Sequence, residues 1–285
     1  SRLEFIRTNT ELSALIAETE LIKKHNPPLN TLLKKYPQQY FIKIKQTHDY
    51  PDLSSKSKFD FDGDDYFGPY TNRDSVKALI EITDRAFQLR ECTDKELKKN
   101  KKCYLADIKR CLAPCVNNDI SSKYNYELKD VYKFLSGSNQ FVVDRLLNKM
   151  KVLSEQKKYE EAGKIRDTVN LIINQINRST ILAEPVNKVN ALIKIKSETT
   201  DDYILFLEGA VFIRNLINNR TEMFDTAISD YFEGNLDLYK KSEAKDLERM
   251  KIALGWMVKN RNMIKIYYLK QFNSRDELFA KIFNN

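Results

Sequence analysis

Several things are scarce in this sequence. Its 285 residues hold seven glycines, seven prolines, two histidines, four cysteines and one tryptophan. So little Gly and Pro excludes collagen-like and low-complexity chains and leaves most of the length for regular structure. No stretch approaches the roughly 20 consecutive apolar residues of a membrane span. The polar, charged start carries no signal-peptide pattern. No membrane partner and a cytoplasmic location are therefore expected. No internal repeat is visible, which excludes a solenoid. There is no initiator Met before Ser1, as in a fragment or a processed product.

What is present begins with charge. Lys and Arg number 48 against 40 Asp and Glu, a net charge of +8. A basic chain of this size suits a polyanion, nucleic acid above all; a composition simply rich in Lys and Asn would give the same balance. Hydrophobic residues make up 42%, enough to bury the cores of two or three compact units.

Periodicity outlines the elements. Glu11 to Lys24 reads as an amphipathic helix, with Leu12, Leu15, Ile16 and Leu21 near one face, Thr10 as N-cap, and Pro27 and Pro28 ending it. Tyr40 to Ile44 alternates like a half-buried strand. Asp60 to Asp65 is an acidic loop around Gly63. Ser75 to Leu89 is a second amphipathic helix. Tyr124 to Leu135 and Phe141 to Ile176 are helical, divided by Ser136-Gly137-Ser138. Ala183 to Lys188 is a linker. Ala191 to Ile195, Tyr203 to Leu207 and Ala210 to Leu216 are β-like runs, the last two joined as a hairpin at Glu208-Gly209. A helix from Ala244 to Asn260 and a strand from Ile264 to Leu269 follow. The fold class is α+β.

The cysteines are the sharpest local signal. Cys92, Cys103, Cys111 and Cys115 all fall in one short segment, Glu91 to Asn118, which has little hydrophobic periodicity and needs another source of stability. Nothing marks the chain as secreted, so disulfides are disfavoured. Four thiolates close in sequence form a metal site by default; zinc and iron–sulfur clusters both accept four sulfurs, and the spacing does not choose between them. Lys98, Lys99, Lys101, Lys102, Lys109 and Arg110 crowd the same segment. They are candidates for offsetting an anionic centre, for contacting DNA phosphates, or for a merely solvated charge run.

Four blocks then resemble one family in order. ELSALIAETELIKKHNPPLNTLL (Glu11 to Leu33), DYFGPYTNRDSVKALIEITDRAFQLREC (Asp65 to Cys92), CYLADIKRCLAPC (Cys103 to Cys115) and LLNKMKVLSEQKKYEEAGKIRDTV (Leu146 to Val169) are similar to successive motifs of the UvrC family of excision-repair nucleases. That family includes shorter relatives and fusions to a proofreading-type exonuclease.

The resemblance implies several things. The first segment would be the end of a GIY-YIG nuclease domain, whose Tyr, Arg and metal-bound Glu hydrolyse a phosphodiester with Mg²⁺ or Mn²⁺. The strands carrying GIY and YIG are not in this sequence, and Ser13 stands at the metal-Glu position. A hydroxyl is a poor ligand for a hard cation, and Glu11 lies about 200° round the helix from it. The chain alone is therefore expected not to cut DNA. Asn30 matches an Asn near the active site, or is a turn residue. Glu18 is expected to be structural. A 4Fe–4S cluster is implied at the four cysteines, with zinc as the alternative. The aromatic turn Tyr66 to Tyr70 is expected to pack against the cysteine region or to touch DNA. The last block resembles the UVR motif, a helical hairpin that docks on an equivalent hairpin of the UvrB helicase. Leu146, Met150, Tyr159, Glu160, Ala162, Arg166 and Asp167 are its candidate partner residues; packing within the domain is the alternative. Damaged double-stranded DNA is the implied substrate.

The last hundred residues resemble the family least. No Asp-Asp-His triad can be drawn there, since His25 and His48 are the only histidines. The expected layout is a partial nuclease domain over 1–90, a cysteine region over 91–120, a helical UVR region over 121–180 and a small α/β accessory domain over 188–285. The alternative function is a non-catalytic DNA- and partner-binding module with a degenerate nuclease fold.

Overall fold

The structure is a computed structural model that describes residues 4–117, 119–138, 140–176, 182–198, 200–214, 221–240 and 242–283. In chain order the elements are α1 (Glu11–His25), β1 (Tyr40–Ile44), β2 (Leu53–Lys56), β3 (Asp65–Tyr70), α2 (Arg73–Ala86), α3 (Asp94–Leu97), α4 (Tyr104–Asp107), α5 (Ser121–Leu135), α6 (Gln140–Glu155) and α7 (Tyr159–Ile176). Then come β4 (Asn190–Ile195), β5 (Asp202–Leu207), β6 (Ala210–Ile213), α8 (Thr221–Glu233), α9 (Ala244–Lys259), β7 (Ile264–Tyr268) and α10 (Arg275–Phe283). This is an α+β architecture in two compact units. One is the continuous stretch 39–185; the other joins residues 1–38 to 186–285.

The continuous unit is built on an antiparallel sheet of order β2-β1-β3. Ile42 and Ile44 of β1 and Phe67 of β3 enter a core shared with Val76 and Ile82 of α2, Tyr124, Leu128 and Val131 of α5, and Val142 and Leu146 of α6. The YFGPY segment, expected as a turn, is the strand β3. Tyr66 and Phe67 are buried, and β3 is an edge strand, where a proline is tolerated because no ladder hydrogen bond is demanded on the outer side. Gly68 has φ 145° and lies so close to β1 that a Cβ would meet Phe41 Cδ1 at 2.9 Å and Tyr40 O at 3.0 Å. A register shift between Tyr40 and Ile42 accommodates it. The helix expected to reach Leu89 stops at Ala86, because Phe87 turns to extended backbone. Asn72 caps its start, accepting from Ser75 N at 2.7 Å. Helices α6 and α7 form an antiparallel hairpin, turning where Lys157 has φ 59°.

The composite unit carries an antiparallel sheet of order β6-β5-β4-β7. All six residues of β5 are buried, so this sheet is covered on both faces. Leu192, Leu205 and Leu207 pack with Phe224, Ala227 and Ile228 of α8 and Leu278 and Ile282 of α10. The alternate residues Ile193, Ile204 and Phe206 are equally buried; α9 packs on β6 and on α1. The β5–β6 hairpin turns on Glu208 and Gly209, whose φ values of 46° and 82° are both positive, as a two-residue type I′ turn requires. Thr10 caps α1 as expected, its hydroxyl accepting from Ser13 N at 3.2 Å.

The expected boundary at residue 90 therefore does not coincide with the compact units. Helix α1 counts with the C-terminal hundred residues because it packs on α9, and β1 opens the other unit.

Candidate functional site

The cysteine segment is held by polar groups rather than by a hydrophobic stripe. Arg90 is its anchor, with no side-chain exposure. Its Nε donates to Tyr50 O at 2.6 Å. Nη1 donates to Cys92 O at 2.5 Å. Nη2 donates to Asp52 Oδ1 at 3.0 Å and to Asp94 Oδ1 at 2.6 Å. Burying a guanidinium is costly unless it is paired and hydrogen-bonded, and here two carboxylates and two carbonyls meet it. The Tyr124 hydroxyl adds a second tie, accepting from Arg90 N at 3.1 Å and donating to Pro51 O at 2.7 Å. Leu112 N donates back to Gln88 O at 3.1 Å, closing the loop between Cys92 and Cys111.

The four cysteines are free thiols, Cys111 buried and the others half-buried. Burial pushes the Cys111 thiol up to about 11; the Ala113 amide, donating to Sγ at 3.3 Å, pulls against this, and the sulfurs of Cys103, Cys92 and Cys115 push the same way as burial. The Cys92 thiol is raised by burial as well, with Arg90 opposing. Cys115 Sγ donates to Lys101 O at 3.5 Å. Among the described residues no group of three or more His, Cys, Asp or Glu side chains is placed to hold a metal ion. The segment gathers four sulfur donors without closing them into a ligand shell. The donor set suits a four-sulfur centre. A thiol with a pKa near 11 stays protonated at neutral pH unless a metal competes for the sulfur.

The basic residues of the segment do not form one surface of equal character. Lys98, Lys99, Lys101 and Lys109 are exposed. Lys102 pairs with Asp107 at 2.7 Å and Arg110 with Glu91 at 2.8 Å. Lys109 and Arg110 also line a cavity with Arg85, Arg145 and Lys149. Sequence reasoning misses those last three. The available signal is the i,i+4 pair Arg145 and Lys149, which stacks two cations on one helical face where an acid–base pair would be stabilising.

Ser13 and Asn30 have local roles. Ser13 is buried, and its hydroxyl donates to Asp202 Oδ2 at 2.5 Å. The same carboxylate accepts from Thr10 Oγ1 at 2.6 Å and Asn9 Nδ2 at 3.1 Å. A carboxylate does reach the Ser13 position, then, but three donors already surround it. Asn30 is exposed and its amide closes a turn on Pro27 O at 3.2 Å. Glu11 accepts from Trp256 Nε1 at 2.7 Å. Glu18, expected to be structural, is exposed.

In the α6–α7 hairpin, Leu146 and Ala162 are buried, and Leu146 belongs to the unit's own core. Met150 is half-buried. Tyr159 is exposed, together with Leu147 and Val152. Glu160 pairs with Lys164 at 3.0 Å, and Arg166 with Asp167 at 3.1 Å. The exposed apolar side chains therefore differ in part from those picked by sequence.

These features define a class: a basic α+β module that carries four free thiols in one short segment and a helical hairpin. Comparison with known proteins gives the family. Residues 39–134 match the model described as "UvrC/Cho excinuclease, middle domain". The chain is similar to UvrABC system protein C of Acetivibrio thermocellus, 31% identical over 214 residues, covering 74% of this chain and 34% of the relative. It is similar to the protein of the same name from Caldanaerobacter subterraneus, 27% identical over 295 residues, covering 99% of this chain and 48% of the relative. With that of Clostridium botulinum it is 37% identical over 172 residues, 59% of this chain and 28% of the relative. The resemblance to the UvrC family is thereby shown, for the middle portion of that family's proteins. The chain spans less than half the length of these relatives. No solved structure matches it. The matched domain starts at residue 39, so the boundary expected at residue 90 falls inside it.

No described helix is long and apolar enough to cross a membrane.

Proposed function

We propose that this chain is the central part of a UvrC-type excision-repair endonuclease, and that it contributes binding to damaged double-stranded DNA and to a UvrB-like helicase rather than the cutting itself. The observation that carries the reading is the middle-domain match over residues 39–134, which contains all four cysteines.

The proposed cofactor is a 4Fe–4S cluster on Cys92, Cys103, Cys111 and Cys115, with zinc as the alternative. Bound there, it would supply a cross-link that completes the folding of a segment with few apolar contacts. The chain's own part is preparatory: Arg90 fixes the Cys92 carbonyl, and the Leu112–Gln88 bond sets the return of the loop. Anaerobic purification should give a brown protein; a colourless one with stoichiometric zinc would replace the cluster by zinc at the same cysteines.

Hydrolysis of a phosphodiester needs an activated water and charge neutralisation at the phosphate. Ser13 offers neither, since its hydroxyl is committed to Asp202. The test is a binding and nicking assay on a damaged duplex with Mg²⁺ or Mn²⁺. The 285-residue chain should bind and leave the duplex intact; metal-dependent nicking by this chain would overturn the reading. The second reading, a module with no catalytic role in the whole protein, is favoured by the same buried Ser13. Nicking by the full-length product supports the endonuclease, and its failure to nick supports the module.

A further inference from the structure

Five cations converge on one cavity in the continuous unit. It has a volume of about 190 Å³ and opens between the end of α2, the Lys109–Arg110 stretch and α6, lined by Arg85, Lys109, Arg110, Arg145 and Lys149. The volume is several times the roughly 30 Å³ share of one water, enough for a phosphate group.

The charges are only partly balanced locally. Arg85 pairs with Glu81, Arg110 with Glu91 at 2.8 Å, and Arg145 with Glu127 at 2.7 Å. Among the described residues, neither Lys109 nor Lys149 has a carboxylate at ion-pair distance. Crowding by protein, and then the charges of Arg145 and Arg110, hold the Lys149 ammonium below the usual lysine pKa. The Nε of Arg110 is buried without a hydrogen-bond partner. The end of the α2 dipole offsets only about half a charge. Like charges held together are relieved by an anion.

The form of the anion follows from what else lines the cavity. Its one aromatic ring, Phe87, is buried and already covered by the Arg145 guanidinium at 5.4 Å. No ring face is left on which a base could stack, and the cations that remain suit a phosphate rather than a base. Contacts of that kind position a nucleic acid without reading its sequence.

We propose that this cavity binds a backbone phosphate of the DNA, which extends the function proposed above by naming where the strand is gripped. The test compares the 285-residue chain with a Lys109→Asn/Lys149→Gln double variant. Both lysines are exposed, and Asn suits the left-handed backbone at residue 109, where φ is 57°. A Lys123→Gln/Lys129→Gln variant makes the same charge change at exposed positions on α5. Binding to a duplex of about 20 base pairs is measured by anisotropy from about 50 to 200 mM salt. The cavity variant should bind about tenfold more weakly at the low end. Its salt slope should be shallower by about 0.9, the value for one phosphate no longer neutralised. The α5 variant should stay within about twofold of the unsubstituted chain. Equal losses in both variants would reduce the effect to net charge and overturn the proposal. Unchanged binding by the cavity variant would overturn it while leaving DNA binding in place. No binding by the unsubstituted chain would instead bring down the DNA reading, and this one with it. If inorganic phosphate stabilised the unsubstituted chain but not the cavity variant, while duplex affinity was the same in both, the cavity would be a free-anion site and the DNA assignment would fail.

Discussion

At the scale of single residues, the buried carboxylates and their donors decide what can be changed. Asp202 is almost fully buried and accepts from Asn9, Thr10 and Ser13. Ser13→Ala removes one donor and should cost about 1 kcal/mol. Ser13→Glu removes the donor and sets a second carboxylate against the first, which should cost on the order of 3 kcal/mol. Urea unfolding of both variants, with and without Mg²⁺, checks this. If Ser13→Glu became more stable than the unsubstituted chain when Mg²⁺ was added, the paired carboxylates would be a cation site after all.

Asp84 gives a pH dependence. Burial first, and then Glu91, push its carboxyl up to about 7, with Arg110 pulling the other way. Between roughly pH 4 and 7 the folded chain therefore holds a proton that the unfolded chain has lost. Stability should fall as pH rises through that window and level off above it. Asp84→Asn should remove this part of the slope and be more stable than the unsubstituted chain at pH 8. A thermal melt series from pH 5 to 8 measures it; parallel curves for the two proteins would refute the assignment.

At the scale of elements, the sequence is readable where one interaction dominates. β1 is expected at Tyr40 to Ile44 and lies there, because its alternation is uninterrupted. The Glu208-Gly209 turn is expected because few residue pairs accept two positive φ values. β2 escapes a sequence reading because Leu53 to Lys56 is an edge strand with no buried residue and so carries no apolar alternation. β3 reads as a turn because Gly-Pro normally breaks a strand; only its place at the sheet edge permits it. The cysteines are legible as a group from their spacing. Arg90 is not, since nothing local reveals that Tyr50, Asp52 and Asp94 will converge on it. The hairpin α6–α7 is expected as helices, but which of its residues face outward depends on the core beneath. Since Leu146 and Ala162 are buried and Tyr159 and Val152 exposed, Tyr159→Asp/Val152→Asp should abolish binding of a UvrB-like C-terminal hairpin peptide and leave the fold intact. Calorimetry on both proteins decides it. A native chain that ignores the peptide would leave the hairpin with packing inside its own unit as its role.

At the scale of the whole molecule, the chain order and the compact units disagree, and the disagreement has an energetic consequence. Residues 39–185 form one unit from a single continuous stretch; the other needs residues 1–38 together with 186–285. Helix α1 brings more than apolar cover to the second. Besides the Thr10 and Ser13 bonds to Asp202, Glu11 accepts from Trp256 Nε1 at 2.7 Å, Glu20 accepts from Arg249 Nε at 2.7 Å, and Lys23 pairs with Glu248 at 2.9 Å. Asp202, Glu248, Arg249 and Trp256 are all buried. Removing residues 1–38 would strip partners from all four at once, leaving Arg249 only its bond to Val211 O and its contact with Asp246, and would uncover the face of α9. At roughly 1–3 kcal/mol for each buried polar group left unpaired, the loss is comparable to the roughly 5–15 kcal/mol that holds a whole domain together. A fragment of residues 39–185 should therefore unfold in one cooperative transition, while a fragment of 186–285 should lack one. Adding a peptide of residues 1–38 to the latter should restore a transition, because the partners return with it. Circular dichroism melts of the two fragments and of the mixture measure all three outcomes. A cooperative melt of 186–285 alone, unaffected by the peptide, would mean that α1 merely rests on that unit and does not complete it.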